Sequence, residues 1–495
     1  MELKIKFLKW SAGVPVVMLN TRTAEKLGAH ATDRIFIRTN SKEFLSIVDT
    51  IGDIVNPNEI AVSSELKEIL HLKLGQKVDV NLAPFPKSLN FIKKKLENRI
   101  LSKSEINEIV KDVMNNSLSE AEIALFISAT YKQGMNLKEI AYLTEAILDS
   151  GRKLKIKGKL IADKHSIGGI AGNRTTPIVV PICASSGLII PKNSSRAITS
   201  AAGTADVIET LAKVDFSVNE IERIIKKTGA CMVWGGALEL VPADSKIISI
   251  EKQLKIDSEP LLLSSVMSKK LAAGSNYILI DIPYGKDAKV NKEKALELKR
   301  KFEYLGRYFH KKIKVLLTKG DEPIGNGIGP VLEMMDVIKV LNHNHKEEQE
   351  NFPYDLEKKS LFLAGQIFEL TGKSKKGKGE ELAKQILYSG RAYEKFKEII
   401  KAQEGTLKTL SPGKYKKDFF SKSSGKILNI DNKLINSLAR VAGCPVDKKS
   451  GVYLYNHVGK KIKKRNKLLT IYTESPSRLK EAANFYNDNK IIKLK

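Results

Sequence analysis

Between residues 160 and 341, short apolar runs alternate with stretches of helical periodicity. No other feature constrains the fold as tightly. The runs at residues 231–234, 277–282 and 315–318 have the length of buried strands. A chain that repeats strand and helix in this way buries them together as an α/β layer. With 495 residues the chain exceeds one ordinary core, so three or four folding units are expected.

The flanks read differently. Residues 1–84 are β-rich and carry a weak internal repeat: AEKLGAHATDRIFIRT and EILHLKLGQKVDVNLA share the order short helix, Leu-Gly, turn, alternating strand. A duplicated unit of this kind suits a pseudo-symmetric barrel and resembles a double-psi barrel. Pro84, Phe85 and Pro86 break regular structure and mark a linker. Residues 88–155 read as a helical domain, punctuated by capping boxes at Ser102/Glu105, Ser119/Glu122 and Asn136/Glu139. A central α/β domain is expected over 156–345, a helical continuation over 346–421, and a last α/β unit over 422–495. The segment at about 353–372, or nearby helices, is expected to complete the first helical domain.

The formal net charge is +28, which raises the local concentration of any polyanion. The lysines are spread along the chain, however, and the tracts at 373–378 and 460–467 are short. They read as solvated faces, and a nucleic-acid partner is not expected. No stretch approaches the roughly 18 apolar residues of a membrane helix. MELKIKFLKW lacks a secretory pattern, and Cys183, Cys231 and Cys444 suggest neither disulfides nor a zinc knuckle. A cytoplasmic protein is expected.

Three stretches carry chemistry. Asp163-Lys164-His165-Ser166-Ile167-Gly168-Gly169, followed by NRTTP, lies between a strand and an apolar helix. Its glycines let the backbone approach an anion, while Lys164 and Ser166 add a charge and a hydroxyl. Residues 194–206, SSRAITSAAGTAD, gather hydroxyls, a glycine and Arg196, whose planar fork matches a phosphate. Two anion-ready loops suggest substrates carrying two phosphate groups. The third stretch, KIDSEP, runs into a helix. Here Asp257 reads as a natural N-cap, and Ser265 and Lys269 lie four apart on one face. Lys269 and Lys270 otherwise read as a solvated last turn.

Together with PADSK (242–246) and GNGIGPVLE (325–333), these stretches resemble the thymidine and pyrimidine-nucleoside phosphorylase family in motif, order and spacing, from about Leu89 to the C-terminus. The resemblance implies a multidomain α/β fold similar to the class II nucleoside phosphorylases. In it a helical domain is hinged to a larger α/β domain, with the site in the cleft. It also implies phosphorolysis of an N-glycosidic bond with inorganic phosphate as co-substrate, no cofactor, and a homo-oligomer. Lys164, Ser166, Ser194 and Thr204 match phosphate-site positions, and Ser265 and Lys269 match positions that contact the base. The pyrimidine enzymes place an arginine seven residues before the aspartate of the third stretch; here that position is Ile250, which cannot donate a hydrogen bond.

This departure is similar to the archaeal branch that acts on nucleoside 5′-monophosphates, converting AMP and phosphate to adenine and ribose 1,5-bisphosphate, with CMP and UMP as further substrates. In that branch Gly169, Ser195, Arg196, Ala197, Ile198, Thr199, Ser200, Thr204, Ser265 and Lys289 match nucleotide-binding positions. Asp257 matches the proton donor, and His165 matches a position beside sugar and base. His343 and His345 sit in a polar loop without a third ligand, so no metal site is expected. The alternatives weighed are a pyrimidine-nucleoside phosphorylase, a magnesium-dependent phosphoribosyltransferase of the anthranilate type, and a non-catalytic basic nucleotide- or RNA-binding protein.

Overall fold

A computed structural model describes the chain except residues 9, 13–14, 40–42, 198–199, 237–239 and 343–350. It divides into two compact units, Met1–Ser150 with Pro242–Ser265, and Gly151–Val241 with Val266–Lys495.

In the first unit, strands β1 (Glu2–Phe7), β2 (Val16–Asn20), β3 (Arg34–Arg38), β4 (Glu43–Ile51), β5 (Glu59–Val62) and β6 (Lys77–Leu82) close a barrel in the order β1-β5-β2-β4-β3-β6. Alternation builds it: Leu3 and Ile5 point inward between exposed Glu2 and Lys4, and join Val17, Leu19, Ile35, Ile37, Val78 and Val80. The sequence repeat maps onto this wiring. Exchanging β1, β2 and β3 for β4, β5 and β6 leaves the pairings unchanged. β1–β5 and β4–β2 are parallel, β1–β6 and β4–β3 antiparallel, and β2–β5 and β3–β6 exchange with themselves.

The bundle contains helices Ser88–Leu96, Lys103–Met114, Glu120–Gln133 and Leu137–Asp149. All three capping boxes form; at the second helix, for example, Ser102 N donates to Glu105 at 2.7 Å and Glu105 N to Ser102 Oγ at 3.3 Å. The helix that completes the bundle is Pro242–Leu254, not the expected segment near 353–372. It turns Ile247 and Ile250 inward and sends Lys246 Nζ to the end of the Lys103–Met114 helix, 3.1 Å from Val113 O and 3.0 Å from Met114 O. The Tyr354–Thr371 helix instead packs in the second unit, on Gly379–Tyr388 and Thr176–Ala184. Both segments are amphipathic, and periodicity alone does not say which apolar surface a helix joins. Barrel and bundle fall within one compact unit. Arg34 of β3, 5% exposed, donates to Ser117 O at 2.5 Å and pairs with Glu122.

In the second unit β7 (Ala162–Ser166), β8 (Ile190–Ser194), β9 (Ala230–Trp234), β10 (Tyr277–Tyr284) and β11 (Lys312–Lys319) form a parallel layer. The order β11-β10-β7 continues to β8-β9 through the Ile161–Ile189 bridge. The C-terminal sheets begin earlier than the expected boundary at 422. Tyr415–Phe420 pairs with Lys467–Thr473, and Gly327–Ile328 pairs with Gly451–Leu454. The cysteines are buried and free, and among the described residues no helix is long and apolar enough to cross a membrane.

Candidate active site

From β7 the chain runs to β8 and β9 on one side, then returns to β10 and β11 on the other. The carboxyl ends of β7 and β10 therefore flank a topological switch point, where an open parallel sheet leaves a crevice for ligand. The Asp163–Ser166 motif is the end of β7, in register with Asp281 of β10.

Beneath this crevice lies a charged network without solvent. Lys270, fully buried, meets Asp163 Oδ2 at 2.5 Å. Lys192 Nζ lies 3.7 Å from Asp163 Oδ1 and donates to Lys164 O at 2.9 Å. Lys164 Nζ donates to Thr175 Oγ1 at 2.6 Å. Asp281, fully buried, accepts from Thr318 Oγ1 at 2.7 Å and lies 3.2 Å from Lys359 Nζ. Four ammonium groups thus share two buried carboxylates. Burial, aided by Lys359 and Arg174 against the pull of Asp281 and Asp163, lowers the pKa of Lys164 to about 8. Burial also pushes Lys192 well below its ordinary value. Burial and the surrounding lysines do the same to His165, which is neutral at pH 7. The Ser166 hydroxyl is buried with no hydrogen-bond partner among the described residues. A bound anion would relieve both conditions, supplying negative charge to the lysines and an acceptor to the hydroxyl.

The glycine turn that follows is set by close approaches. Gly168 and Gly169 adopt φ of 84° and 92°, and a Cβ on Gly169 would stand 2.7 Å from Lys289 N. The structure therefore brings Gly169 and Lys289 together. Asn432, fully buried on the Asn432–Ala442 helix, accepts from Ala171 N at 3.1 Å and donates to Gly320 O at 3.2 Å.

After β8, residues 195–197 and 200–204 are tied together by Asp206. Its Oδ2 accepts from Ala197 N at 2.7 Å and from Gly203 N at 2.8 Å. Ala201 N donates to Asn436 Oδ1 at 3.0 Å. Ser194 ends β8, Ser195 is exposed, and Ser200 Oγ donates to Ala202 O at 2.9 Å. Thr204 Oγ1 accepts from Arg174 at 2.9 Å, and Arg174 also reaches Ala202 O at 2.8 Å and buried Glu333 at 2.6 Å. The Arg196 fork has partners within the protein. Both its NH groups bind Glu209 at 2.6 Å, and the guanidinium lies 4.8 Å from the Trp234 ring centroid. Hydrogen bonds from Arg196 hold the Glu209 pKa down to about 2. Through Glu209, Arg196 braces the loop. Ile198, Thr199, His343 and His345 lie outside the described residues.

In the first unit Asp257 is exposed in the turn after Pro242–Leu254. It is not the expected N-cap. The next helix, Glu259–Ala272, begins two residues later, so Ser258 occupies the capping position and Ser258 O accepts from Leu262 N at 2.9 Å. Ser265 and Lys269 are both half-buried on that helix, while Lys270, expected as solvated, is one of the most buried charges. Sequence reasoning missed Lys192, Lys270, Asp281, Lys359, Asn432 and Asn436. Lys270 and Lys359 at exposed-looking helix positions, and Lys192 on β8, carry no local mark of burial, and the asparagines lie more than 230 residues from the groups they hold. Among the described residues no three His, Cys, Asp or Glu side chains converge as metal ligands.

The chain is similar to known proteins. Residues 89–151 and 158–393 match the glycosyl transferase family helical bundle and a/b domains, and residues 426–493 match the pyrimidine nucleoside phosphorylase C-terminal domain. The AMP phosphorylase of Pyrococcus abyssi is 45% identical over 97% of this chain and 95% of its own length. That of Methanococcus aeolicus is 39% identical over 99% and 97%. Anthranilate phosphoribosyltransferase from Thermus thermophilus shares the fold, with a TM-score of 0.53 at 18% identity, covering 63% of this chain and 99% of that one. The chain belongs to the thymidine and pyrimidine-nucleoside phosphorylase family, in the branch of the AMP phosphorylases.

Proposed function

We propose that the protein phosphorolyses nucleoside 5′-monophosphates, converting AMP and inorganic phosphate to adenine and ribose 1,5-bisphosphate. The observation that carries this reading is near-full-length similarity to AMP phosphorylases, and the buried cationic network beneath the β7 end supports it. A phosphate oxygen bonds to C1′ as the C1′–N bond breaks, and the bonding pair leaves with the base. The nucleophile arrives charged, so holding it matters more than activating it. Lys164, Ser166, Ser194 and Thr204 take the inorganic phosphate. Gly169, the 195–200 loop, Thr204, Ser265 and Lys289 take the nucleotide, with Ser265 and Lys269 at the base. The loop acts through its backbone and hydroxyls, since Arg196 is committed to Glu209.

Asp257 protonates the departing base and cancels the charge it would carry away. His165, neutral, acts as a hydrogen-bonding group rather than an acid. CMP and UMP are further substrates, and no cofactor is required. The protein works as a cytoplasmic homo-oligomer whose N-terminal barrel, of the double-psi type, serves assembly. Ile250, 4% exposed and apolar, gives no hydrogen bond to a pyrimidine and disfavours the pyrimidine-nucleoside alternative. The test is release of free base from AMP, CMP, UMP and adenosine with and without phosphate. Phosphate-dependent cleavage of AMP, with kcat/KM for adenosine lower by about 10²-fold or more, is expected for a lost charged phosphate contact. Comparable values for AMP and adenosine, or cleavage without phosphate, would overturn the assignment.

A further inference from the structure

The C-terminal segment does more than extend the core. Asn432 and Asn436 lie one turn apart on one face of the Asn432–Ala442 helix, 0% and 8% exposed. Asn432 Oδ1 accepts from Ala171 N of the glycine turn, and Asn436 Oδ1 accepts from Ala201 N of the 195–204 loop. The pair is itself tied, since Asn436 Nδ2 donates to Asn432 O at 2.9 Å. The other end of the loop is braced from the same segment, because Lys448 Nζ lies 2.7 Å from Glu209, the carboxylate that holds Arg196. A buried N–H has one direction in which it is satisfied, so each asparagine fixes the height of the loop whose N–H it accepts.

We propose that Asn432 and Asn436 are positioning residues that hold the two substrate loops in register, and that Asn436 sets the preference for a 5′-phosphorylated nucleotide over a nucleoside. The inference rests on the proposed function in one respect, that the 195–200 loop receives the 5′-phosphate. A displaced loop loses what it gives to that phosphate, whereas a nucleoside makes no such demand.

The test compares AMP and adenosine as substrates of wild type, Asn436→Ala and Asn436→Asp. Asn436→Ala should lower the AMP-to-adenosine ratio of kcat/KM about tenfold or more, chiefly through KM for AMP. Asn436→Asp keeps an oxygen acceptor for Ala201 N but loses the N–H given to Asn432 O, so its ratio should fall between those of wild type and Asn436→Ala. An equal fall on both substrates would overturn the proposal, because general loosening does not discriminate between them. If Asn436→Ala does not fold, Asn432→Ala makes the same test on the other loop. It should raise KM for inorganic phosphate and, through Gly169, for AMP and adenosine alike, so the AMP-to-adenosine ratio stays in place; a tenfold or larger fall in that ratio overturns the idea. A wild type that shows no preference for AMP would refute the proposed function instead, and is read before any variant.

Discussion

A lysine with no solvent needs a nearby carboxylate, and Lys270 finds it in Asp163 at 2.5 Å. Removing one partner of such a pair leaves the other charge buried. Asp163→Asn should therefore lower unfolding stability by about 3–5 kcal/mol, measured in urea, although the substitution nearly conserves volume, because Lys270 and Lys192 both lose their carboxylate. At Lys164 the consequence is functional. Its pKa is lowered to about 8, so the cation that receives phosphate is lost as pH rises through that value. Phosphate affinity should fall about tenfold per pH unit above it, as for any single-proton linkage. The same depression has a stability sign. Between about 8 and the ordinary lysine value of 10.5 the unfolded chain holds a proton that the fold releases, so the phosphate-free protein gains stability as pH rises through that window. A thermal-shift series with and without phosphate reads both effects. Asp257 calls for a different test. Because Ser258 holds the capping position, Asp257→Asn should leave the helix intact yet lose about 10²-fold or more in kcat for AMP. A ribosyl 5′-phosphate bearing a low-pKa leaving group should restore most of that loss; an undiminished loss there would make Asp257 an orienting group.

At the scale of elements, the Pro242–Leu254 helix explains why an arginine cannot simply be restored at position 250. Ile250 is 4% exposed on the side that packs against the bundle. Ile250→Arg should therefore destabilise the protein by about 2 kcal/mol or more through an unpaired buried charge, without creating pyrimidine-nucleoside activity. Chemical denaturation with a uridine phosphorolysis assay checks both parts. What the sequence disclosed, and what it hid, follows the range of the interactions. Ser102, Ser119 and Asn136 cap helices through groups three residues away, so a local pattern reveals them. The strand-to-glycine turn at Asp163–Gly169 was legible because backbone freedom is written in residue type. The fate of Arg196 depends on Glu209 and Lys448, the second of which arrives from a distant segment. The burial of Lys270 depends on a strand more than 100 residues earlier. Tyr354–Thr371 was recognisable as a helix, but its apolar face gives no address.

Across the whole molecule, the residues proposed for inorganic phosphate all lie in the Gly151–Val241 and Val266–Lys495 unit. A chain beginning near Lys87 should therefore keep a phosphate-induced rise in Tm while its assembly size changes, as read by light scattering. Retained assembly with lost phosphate binding would reverse the role assigned to the barrel. The truncation also removes Arg34 from Ser117 and Glu122, so a lower baseline Tm is expected. The barrel has a further consequence. Wiring that survives the exchange of its halves can be specified by half the information: a segment of strand, strand, helix and strand that meets a copy of itself. The present barrel then has the wiring of two copies of one half, joined in a single chain. We predict that residues 43–84 produced alone still associate in twos, with each β4 beside the other copy's β5 only as far as the two lineages of side chains remain interchangeable. Sedimentation of that fragment measures how far they have drifted, and a monomer at every concentration would mean that neither half retains the older symmetry.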